Sequence, residues 1–273
     1  MIINRDTTVC ISIASRPGNL GATIFNEAFR ELSLNYIYKP FLVEEKDLKE
    51  AIIAIKALGI RGCGISMPHK MKVMEYLDEI DETAGKIGAI NTIVNDSGIL
   101  KGYNTDYEGV KTLLADRYSV KGANVLIAGA GGAARAIIQA IKEGEVKNIF
   151  ITNRDEVKGE KLAEELEIIY ISWKDKDKLS GEMLVNATPV GMKEDDPCIF
   201  EDKTIEKFKA VLDVVVSPHN TYLINKAKEL GKIAIPGIKM ASLQGMAQFK
   251  LYTGADISTE IIEKSIGKYL TSN

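Results

Sequence analysis

Short runs of apolar and β-branched residues alternate with stretches of helical period along nearly the whole chain. Residues 8–13 form the first strand-like run. A helix is predicted to start near Ala22 or Thr23, with Ile24, Phe25, Ala28, Phe29 and Leu32 on one face. Residues 36–41 are the next strand, and the segment from Glu44 through Ile55 has a helical period that Gly59 stops. Residues 60–66 form a short strand ending at Met67-Pro68. This β-α-β-α-β order predicts a parallel sheet covered by helices. Pro68-His69-Lys70 predicts a further helix, because proline suits a first helical turn. Residues 88–95 and 99–104 read as a hairpin around Asp96-Ser97-Gly98. Asp106 then reads as the N-cap of a helix through Val110, Leu113 and Leu114.

The second half is organised around residues 125–138. Four apolar residues enter a glycine turn, Gly129-Ala130-Gly131-Gly132, which runs into an alanine-rich helix beginning near Ala133. A dinucleotide site needs that strand, turn and helix. Gly129 permits the tight turn, Gly131 lets the backbone approach a pyrophosphate, and Gly132 and Ala133 keep the helix start close to the strand. The helix N-terminus offers free N–H groups to phosphates. A second strand, residues 147–152, follows at the expected distance and ends in Asn153-Arg154-Asp155. At that place an NAD site carries an acidic residue for the ribose and an NADP site an arginine near the 2′-phosphate. Arg154, with Asn153 and with Lys158 one turn on, predicts NADP; Asp155 would oppose a phosphate if it pointed inward. A helix over 159–166 and a polar connector over 174–178, read as a solvated face, come next. Residues 183–192 read as a buried strand running into a loop, 211–218 as another strand and 232–236 as the last, preceded by a helix with Leu223, Ala227 and Leu230. Helices over 240–251 and 258–270 close the chain. The expected fold is α/β with two domains: residues 1–106, then a Rossmann-type doubly wound domain over 107–239, with 240–273 returning to the first.

Composition narrows the function without naming it. A net charge of −3 over 273 residues, with no block of lysine and arginine among aromatics, argues against nucleic-acid and membrane-surface partners. No apolar run approaches a membrane span, and residues 1–6 lead into no signal-peptide core, so a cytoplasmic protein is expected. Three scattered cysteines and two histidines predict neither disulfides nor a metal site. Lys70 stands near a strand's C-terminal edge, where a helix N-terminus would suit a lysine acting near neutral pH. A plain surface lysine fits the position equally well.

Taken together the motifs resemble the shikimate dehydrogenase family over nearly the whole chain. They are Ser66-Met67-Pro68-His69-Lys70, Ala89-Ile90-Asn91-Thr92, Asn104-Thr105-Asp106, Gly129-Ala130-Gly131-Gly132-Ala133-Ala134-Arg135, Asn153-Arg154, Asn186-Ala187-Thr188 with Gly191-Met192, Pro218 with Thr221, and Gln244-Gly245 with Phe249 and Thr253-Gly254. The resemblance implies a substrate domain and an NADP domain facing a cleft. It also implies reversible hydride transfer between NADPH and 3-dehydroshikimate, a step in chorismate and aromatic amino acid biosynthesis. Lys70 and Asp106 become the catalytic pair, Asn91 and Gln244 substrate hydroxyl ligands, and Ser66 stands for the family's usual threonine. Thr188 and Gly237 join the cofactor set by the same likeness. Chemistry agrees: an ammonium stabilises negative charge on a ketone oxygen receiving hydride, and amides both donate to and accept from hydroxyls.

The sequence also departs from the family. Asn19 and Gly21 occupy the places of two carboxylate-binding serines, Gly64 that of an asparagine, and Val216 that of a tyrosine. Ser15, Arg16 or Asn19 are candidates to compensate, Arg16 by a bidentate contact. The expectation is a paralogue, monomer or homodimer, acting on shikimate. The same chemistry on quinate or a related cyclic hydroxy acid, or a non-catalytic nucleotide-binding regulator, are the alternatives.

Overall fold

The computed structural model describes residues 3–193 and 195–272. Two compact units emerge, Met1–Thr105 with Gln244–Asn273, and Asp106–Leu243. The first holds β1 (Thr8–Ala14), α1 (Leu20–Glu31), β2 (Tyr36–Leu42), α2 (Leu48–Ala57), β3 (Gly62–Ile65), β4 (Glu79–Ile80), α3 (Glu82–Ile87), β5 (Thr92–Asp96) and β6 (Ile99–Tyr103). Next come α4 (Thr105–Arg117), β7 (Asn124–Ala128), α5 (Gly132–Lys142), β8 (Asn148–Thr152), α6 (Glu156–Glu165) and β9 (Ile169–Tyr170). The chain continues through β10 (Gly181–Asn186), α7 (Asp202–Ile205), β11 (Phe208–Asp213), α8 (Tyr222–Glu229) and β12 (Ile233–Ile235). It closes with α9 (Gly237–Thr253) and α10 (Thr259–Ser272).

In the first unit the sheet order is β2-β1-β3-β5-β6-β4. Side-chain alternation sends β1 and β3 residues to two cores. Ile11, Ile13, Cys63 and Ile65 pack against Leu48, Ile52 and Ile55 of α2. On the other face Cys10 joins Phe25 and Phe29 of α1, Phe249 and Tyr252 of α9 and Ile262 of α10. The closing helices thus belong to this core. A Cβ at Gly62 would clash with the Tyr252 ring, so α9 lies this close to β3 because that residue is glycine. Arg61 donates from Nε to the Tyr252 carbonyl (3.0 Å), capping the last turn of α9.

The second unit is a wholly parallel sheet in the order β12-β11-β10-β7-β8-β9. Strand order reverses between β7 and β10, where a doubly wound fold opens its ligand crevice. Leu126, Leu184, Val211, Phe200, Phe208 and Leu223 form the core on one face.

Strands β1, β2 and β3 are parallel and β5 and β6 form a hairpin, both as expected, and with β5 antiparallel to β3 as well the first sheet is mixed. Ser97 (φ 53°) and Gly98 (φ 93°) make the tight turn that forces β5 and β6 antiparallel. Other expectations need correction. Strand β5 begins at Thr92 instead of residue 88, the preceding residues leading in from α3, an element the sequence pattern missed. Helix α1 begins at Leu20, earlier than expected. No α-helix follows Pro68. The Lys70 carbonyl, which a helix would give to residue 74, accepts from Ile90 N–H (2.7 Å), and Met74 N–H turns to Met71. A turn and a 3₁₀ segment, Lys72–Tyr76, result, so the helix N-terminus expected at Lys70 does not form. Asp106 is not an N-cap either, since α4 already begins at Thr105. The connector over 174–178 is no solvated face at its centre: Lys176 and Asp177 are 12% and 14% exposed and paired at 2.6 Å. Asp177 also accepts from Thr204 (2.8 Å) and from the Glu201 backbone (3.1 Å), fastening α7.

Candidate active site

In the first unit a buried polar network closes the edge of the sheet where β3 and β6 end and β5 begins. Asn91, 3% exposed, stands just before β5. Its Oδ1 accepts from Thr105 backbone N–H (2.7 Å) and Thr92 Oγ1 (2.8 Å), and lies 3.1 Å from Thr105 Oγ1. Its Nδ2 donates to Gln244 Oε1 at 3.2 Å. Thr105 Oγ1 lies 3.1 Å from that same Gln244 oxygen and 3.0 Å from Thr92 Oγ1. A hydroxyl has one proton, so Thr105 donates to one of these at a time and the network can redistribute its bonds. Gln248 adds Nε2 to Thr92 Oγ1 at 2.9 Å. It lies one turn beyond Gln244 on the α9 face that also carries Tyr252. Thr92, Thr105 and Gln248 were not singled out from sequence, although the glutamine spacing of four on a helix was a readable signal.

The turn that carries Lys70 adjoins this network. Ile90 N–H bonds to the Lys70 carbonyl, and Ile65 N–H to the Asn91 carbonyl (2.7 Å). Lys70 is partly buried, and Ser66 is exposed with its backbone tied to Ile13 at 3.0 Å. Gly64 and Gly21 both face Tyr38. A Cβ would stand 2.9 Å from the Tyr38 hydroxyl at position 64 and 3.4 Å from it at position 21. Burial pushes the Tyr38 phenol up, against a Ser12 hydrogen bond that pulls it down. Arg16 and Asn19 lie outside the network, exposed in the loop between β1 and α1. Asn19 occupies the N-cap position of α1 without a side-chain capping bond.

In the second unit Gly129 has φ 118°, and a Cβ there would sit 2.8 Å from the Ala187 carbonyl oxygen, so glycine is required twice over. Gly131 is the N-cap of α5, and a Cβ there would meet nothing within 4 Å. Open space at the mouth of a helix N-terminus fits a dinucleotide's phosphates. Ala130, Gly132 and Ala133 line the same turn, partly buried. Farther along α5, Arg135 makes a bidentate pair with Glu165 at 2.6 Å, which holds that carboxyl below its ordinary value and ties α5 to α6. At the end of β8, Asp155 is turned away into service as the N-cap of α6. It accepts from Lys158 backbone N–H (3.2 Å) and pairs with Lys158 Nζ (3.3 Å), which keep the carboxyl low. Asn153 donates to the Asp155 carbonyl at 2.7 Å, and Arg154 is exposed. Thr188 follows β10, and Gly237 opens α9. Asp106 lies buried in the first turn of α4.

Asp213 is a polar centre that sequence reading passed over, although one carboxylate inside an apolar run from Val211 to Val216 was a signal. It ends β11, next to Asn186 in the sheet register. A concavity of about 490 Å³ opens here, lined by Asn186, Gly191, Cys198, Asp213, Pro218 and Thr221. Among the described residues no helix is long and apolar enough to cross a membrane, and no group of acidic, cysteine or histidine side chains could hold a metal ion.

Comparison with known proteins supplies the family context. Residues 19–93 match the model of the shikimate dehydrogenase substrate binding domain, and residues 112–190 that of shikimate / quinate 5-dehydrogenase. A shikimate dehydrogenase-like protein of Haemophilus influenzae is 38% identical, covering 97% of each chain. The shikimate dehydrogenase (NADP(+)) of Methanothermobacter thermautotrophicus is 36% identical over 92% of this chain and 93% of its own. The structure of shikimate 5-dehydrogenase from Listeria monocytogenes in complex with shikimate and NAD superposes with a TM-score of 0.84. It is 32% identical over 97% of this chain and 98% of its own.

Proposed function

This chain belongs to the shikimate dehydrogenase family, and from that premise we propose that it is an NADP-dependent oxidoreductase interconverting 3-dehydroshikimate and shikimate. The observation that carries the reading is the buried Asn91–Thr105–Gln244 network, joined through Ile90 to the Lys70 turn. Amides and hydroxyls held in one fixed arrangement suit a polyol, because each substrate hydroxyl needs both a donor and an acceptor. An amine beside them suits a carbonyl that is to become a hydroxyl.

A bound nicotinamide dinucleotide supplies or removes the hydride. Lys70 carries the proton that the ketone oxygen gains as its carbonyl bond becomes single, and takes it back in the oxidation direction. Asp106 orients that ammonium. Asn91, through the Nδ2 hydrogen not given to Gln244, and Gln244 bind ring hydroxyls, with Ser66 beside them. The backbone at Gly129, Ala130, Gly131, Gly132 and Ala133 cradles the pyrophosphate, and Thr188 and Gly237 line the rest of the dinucleotide site. Arg154, with Asn153 and Lys158, receives the 2′-phosphate. Support for NADP over NAD comes from Asp155, whose carboxylate is spent on the α6 cap instead of waiting for ribose hydroxyls.

A second reading keeps the chemistry and changes the acid. Asn19 is exposed with its side chain uncommitted to the helix cap, and Gly21 has no side chain at all. Quinate or another cyclic hydroxy acid is then the substrate. Steady-state oxidation of shikimate and of quinate, each with NADP and NAD and followed by absorbance of the reduced cofactor, tests both. Turnover of shikimate with NADP at a kcat/KM well above that of the other three pairs is expected. Dinucleotide binding with no turnover of either acid would overturn shikimate as the substrate and direct the search to another cyclic hydroxy acid.

A further inference from the structure

Asp213 takes no part in the chemistry above, yet its side chain is 0% exposed and three donors from three segments converge on it. Asn186 Nδ2 and the Val215 backbone N–H reach Oδ1, both at 3.0 Å, and the Thr221 hydroxyl reaches Oδ2 at 2.6 Å. Each donor leads to a different segment of the second unit, and two of them to glycines of the dinucleotide site. Asn186 turns its own Oδ1 to Thr188, accepting from the backbone N–H (3.0 Å) and from Oγ1 (2.7 Å), while its Nδ2 also holds the Val190 carbonyl at 3.0 Å. The neighbouring Ala187 carbonyl is the group that crowds Gly129 of the glycine turn. Val215 belongs to the backbone that packs on Gly237, where a Cβ would overlap the Val215 carbonyl oxygen. Thr221 accepts from Ile224 N–H at 3.3 Å and so starts α8.

Gly129, Thr188 and Gly237 come from three distant stretches of sequence, and each lies within one or two bonded or packed neighbours of this carboxylate. We propose that Asp213 is a positioning residue for the dinucleotide site: it sets the Thr188 loop and the Val214–Val215 backbone against Gly129 and Gly237, so that cofactor binding depends on it and polyol binding does not. The inference rests on the dinucleotide reading above. An ionised carboxylate can accept three such donors at once, whereas a neutral carboxyl or an amide must give up acceptor capacity and become a donor on one side. The brace is therefore firmest when Asp213 is ionised. Burial pushes its pKa up to about 6 against the pull of Thr221, Val215 and Asn186, so the change falls in a range where binding can be measured. The titratable group facing it is the Cys198 thiol, itself pushed up by burial. Lys193 and Asp196 line the same concavity, Asp196 holding the Gly191 and Lys193 backbone N–H groups at 2.9 and 3.2 Å.

The test is the Kd of NADP+ by titration calorimetry between pH 5 and 8, for the wild-type chain, Asp213→Asn and Asp213→Ala. It needs no turnover, so it stands if the substrate assignment fails. At pH 8, Asp213→Asn should bind about 3-fold more weakly than wild type, and the two should converge below pH 6, where wild-type Asp213 also carries a proton. Comparison with the Asn variant removes the cofactor's own 2′-phosphate titration. Asp213→Ala should weaken binding roughly 10-fold or more; if it does not fold, the Asn variant alone decides. In turnover assays KM for the dinucleotide should rise while KM for the polyol stays within 2-fold. A wild-type to Asn ratio that does not change with pH, a shift confined to the polyol KM, or a wild type that binds no dinucleotide would each overturn the proposal.

Discussion

Both units place a buried polar network at one edge of the sheet, the first where β5 begins and β6 ends and the second where β10 and β11 end, but the two are built from different groups. The network around Asn91 consists of amides, hydroxyls and backbone, all neutral. The one around Asp213 is centred on a carboxylate with no cation among its three hydrogen-bond donors. A neutral network can trade hydrogen bonds without any change of charge, which suits a surface that must match several hydroxyls. A buried carboxylate fixes one arrangement firmly, and makes that arrangement depend on pH.

The sharpest way to separate the units is to remove chemistry from one and leave binding in the other. Lys70→Ala should lower kcat by about 10²–10⁴, the range for losing a positioned proton donor. The Kd for the dinucleotide, measured by titration, should stay within 2-fold. Unchanged turnover would remove Lys70 from the mechanism.

Next in size is Asn91→Leu, which strands the buried Thr105 N–H, while the Thr92 hydroxyl can turn to Thr105 Oγ1. Orphaning a buried donor costs about 1–3 kcal/mol, and a loss of that order is expected in urea unfolding. At low pH Asn91→Asp should cost less, because a neutral carboxyl keeps an acceptor for the Thr105 N–H and can donate to Gln244 Oε1; its cost should grow as the buried carboxylate ionises with no cation beside it. Equal losses in both variants would show that the network contributes shape and not hydrogen bonding.

Asp213 gives the opposite kind of signal. Its pKa lies near 6 in the fold, against an ordinary value of 3.8. The native state therefore holds the proton more tightly than the unfolded chain, and its stability contribution falls as pH rises from about 4 to about 6. A shift of this size corresponds to roughly 3 kcal/mol. Asp213→Asn, which cannot ionise, should gain on wild type by about 2–3 kcal/mol over that interval and hold the gain above pH 6. A difference between the two chains that stays flat from pH 4 to 8 would show that Asp213 does not titrate there. Weaker cofactor binding in a more stable variant would mark Asp213 as kept for positioning at some expense of stability.

The contrast also explains what could be read from the chain. The second unit was legible because one local rule carries it: apolar strand, glycine turn, helix, repeated with the right spacing. Gly129 and Gly131 show their purpose within a few residues. Elements of the first unit that depend on distant partners were not. Lys70 was expected on a helix because Pro68 suits a helix start, but Ile90, twenty residues on, takes the carbonyl that the helix needed. Strand β5 was expected to start at residue 88, yet Asn91 is drawn from it into bonds with Thr105 and Gln244. The same limit hid Asp213, whose meaning depends on Asn186 and Thr221 arriving from neighbouring segments, and misplaced Lys176 and Asp177, whose burial depends on α7. Periodicity reports the face a residue shows to its own element. It does not report which distant carbonyl competes for a backbone N–H.

The smallest effect tests cofactor choice at the far end of the second unit. Arg154→Ala removes an exposed cation that contributes little to the fold, so the melting temperature should not move. An exposed guanidinium facing a phosphate contributes about 1–1.5 kcal/mol at low salt, which sets an expected rise of roughly 10-fold in KM for NADP. KM for NAD should stay level, because NAD carries no 2′-phosphate to lose a partner. Raising ionic strength should narrow the gap between wild type and variant, since an exposed pair is screened. Lys158→Ala should do less than Arg154→Ala, because Lys158 already shares its charge with Asp155 at 3.3 Å. If both variants lost NADP and NAD affinity alike, the strand end would be supporting the adenosine as a whole. The preference for NADP would then have to come from a residue other than Arg154.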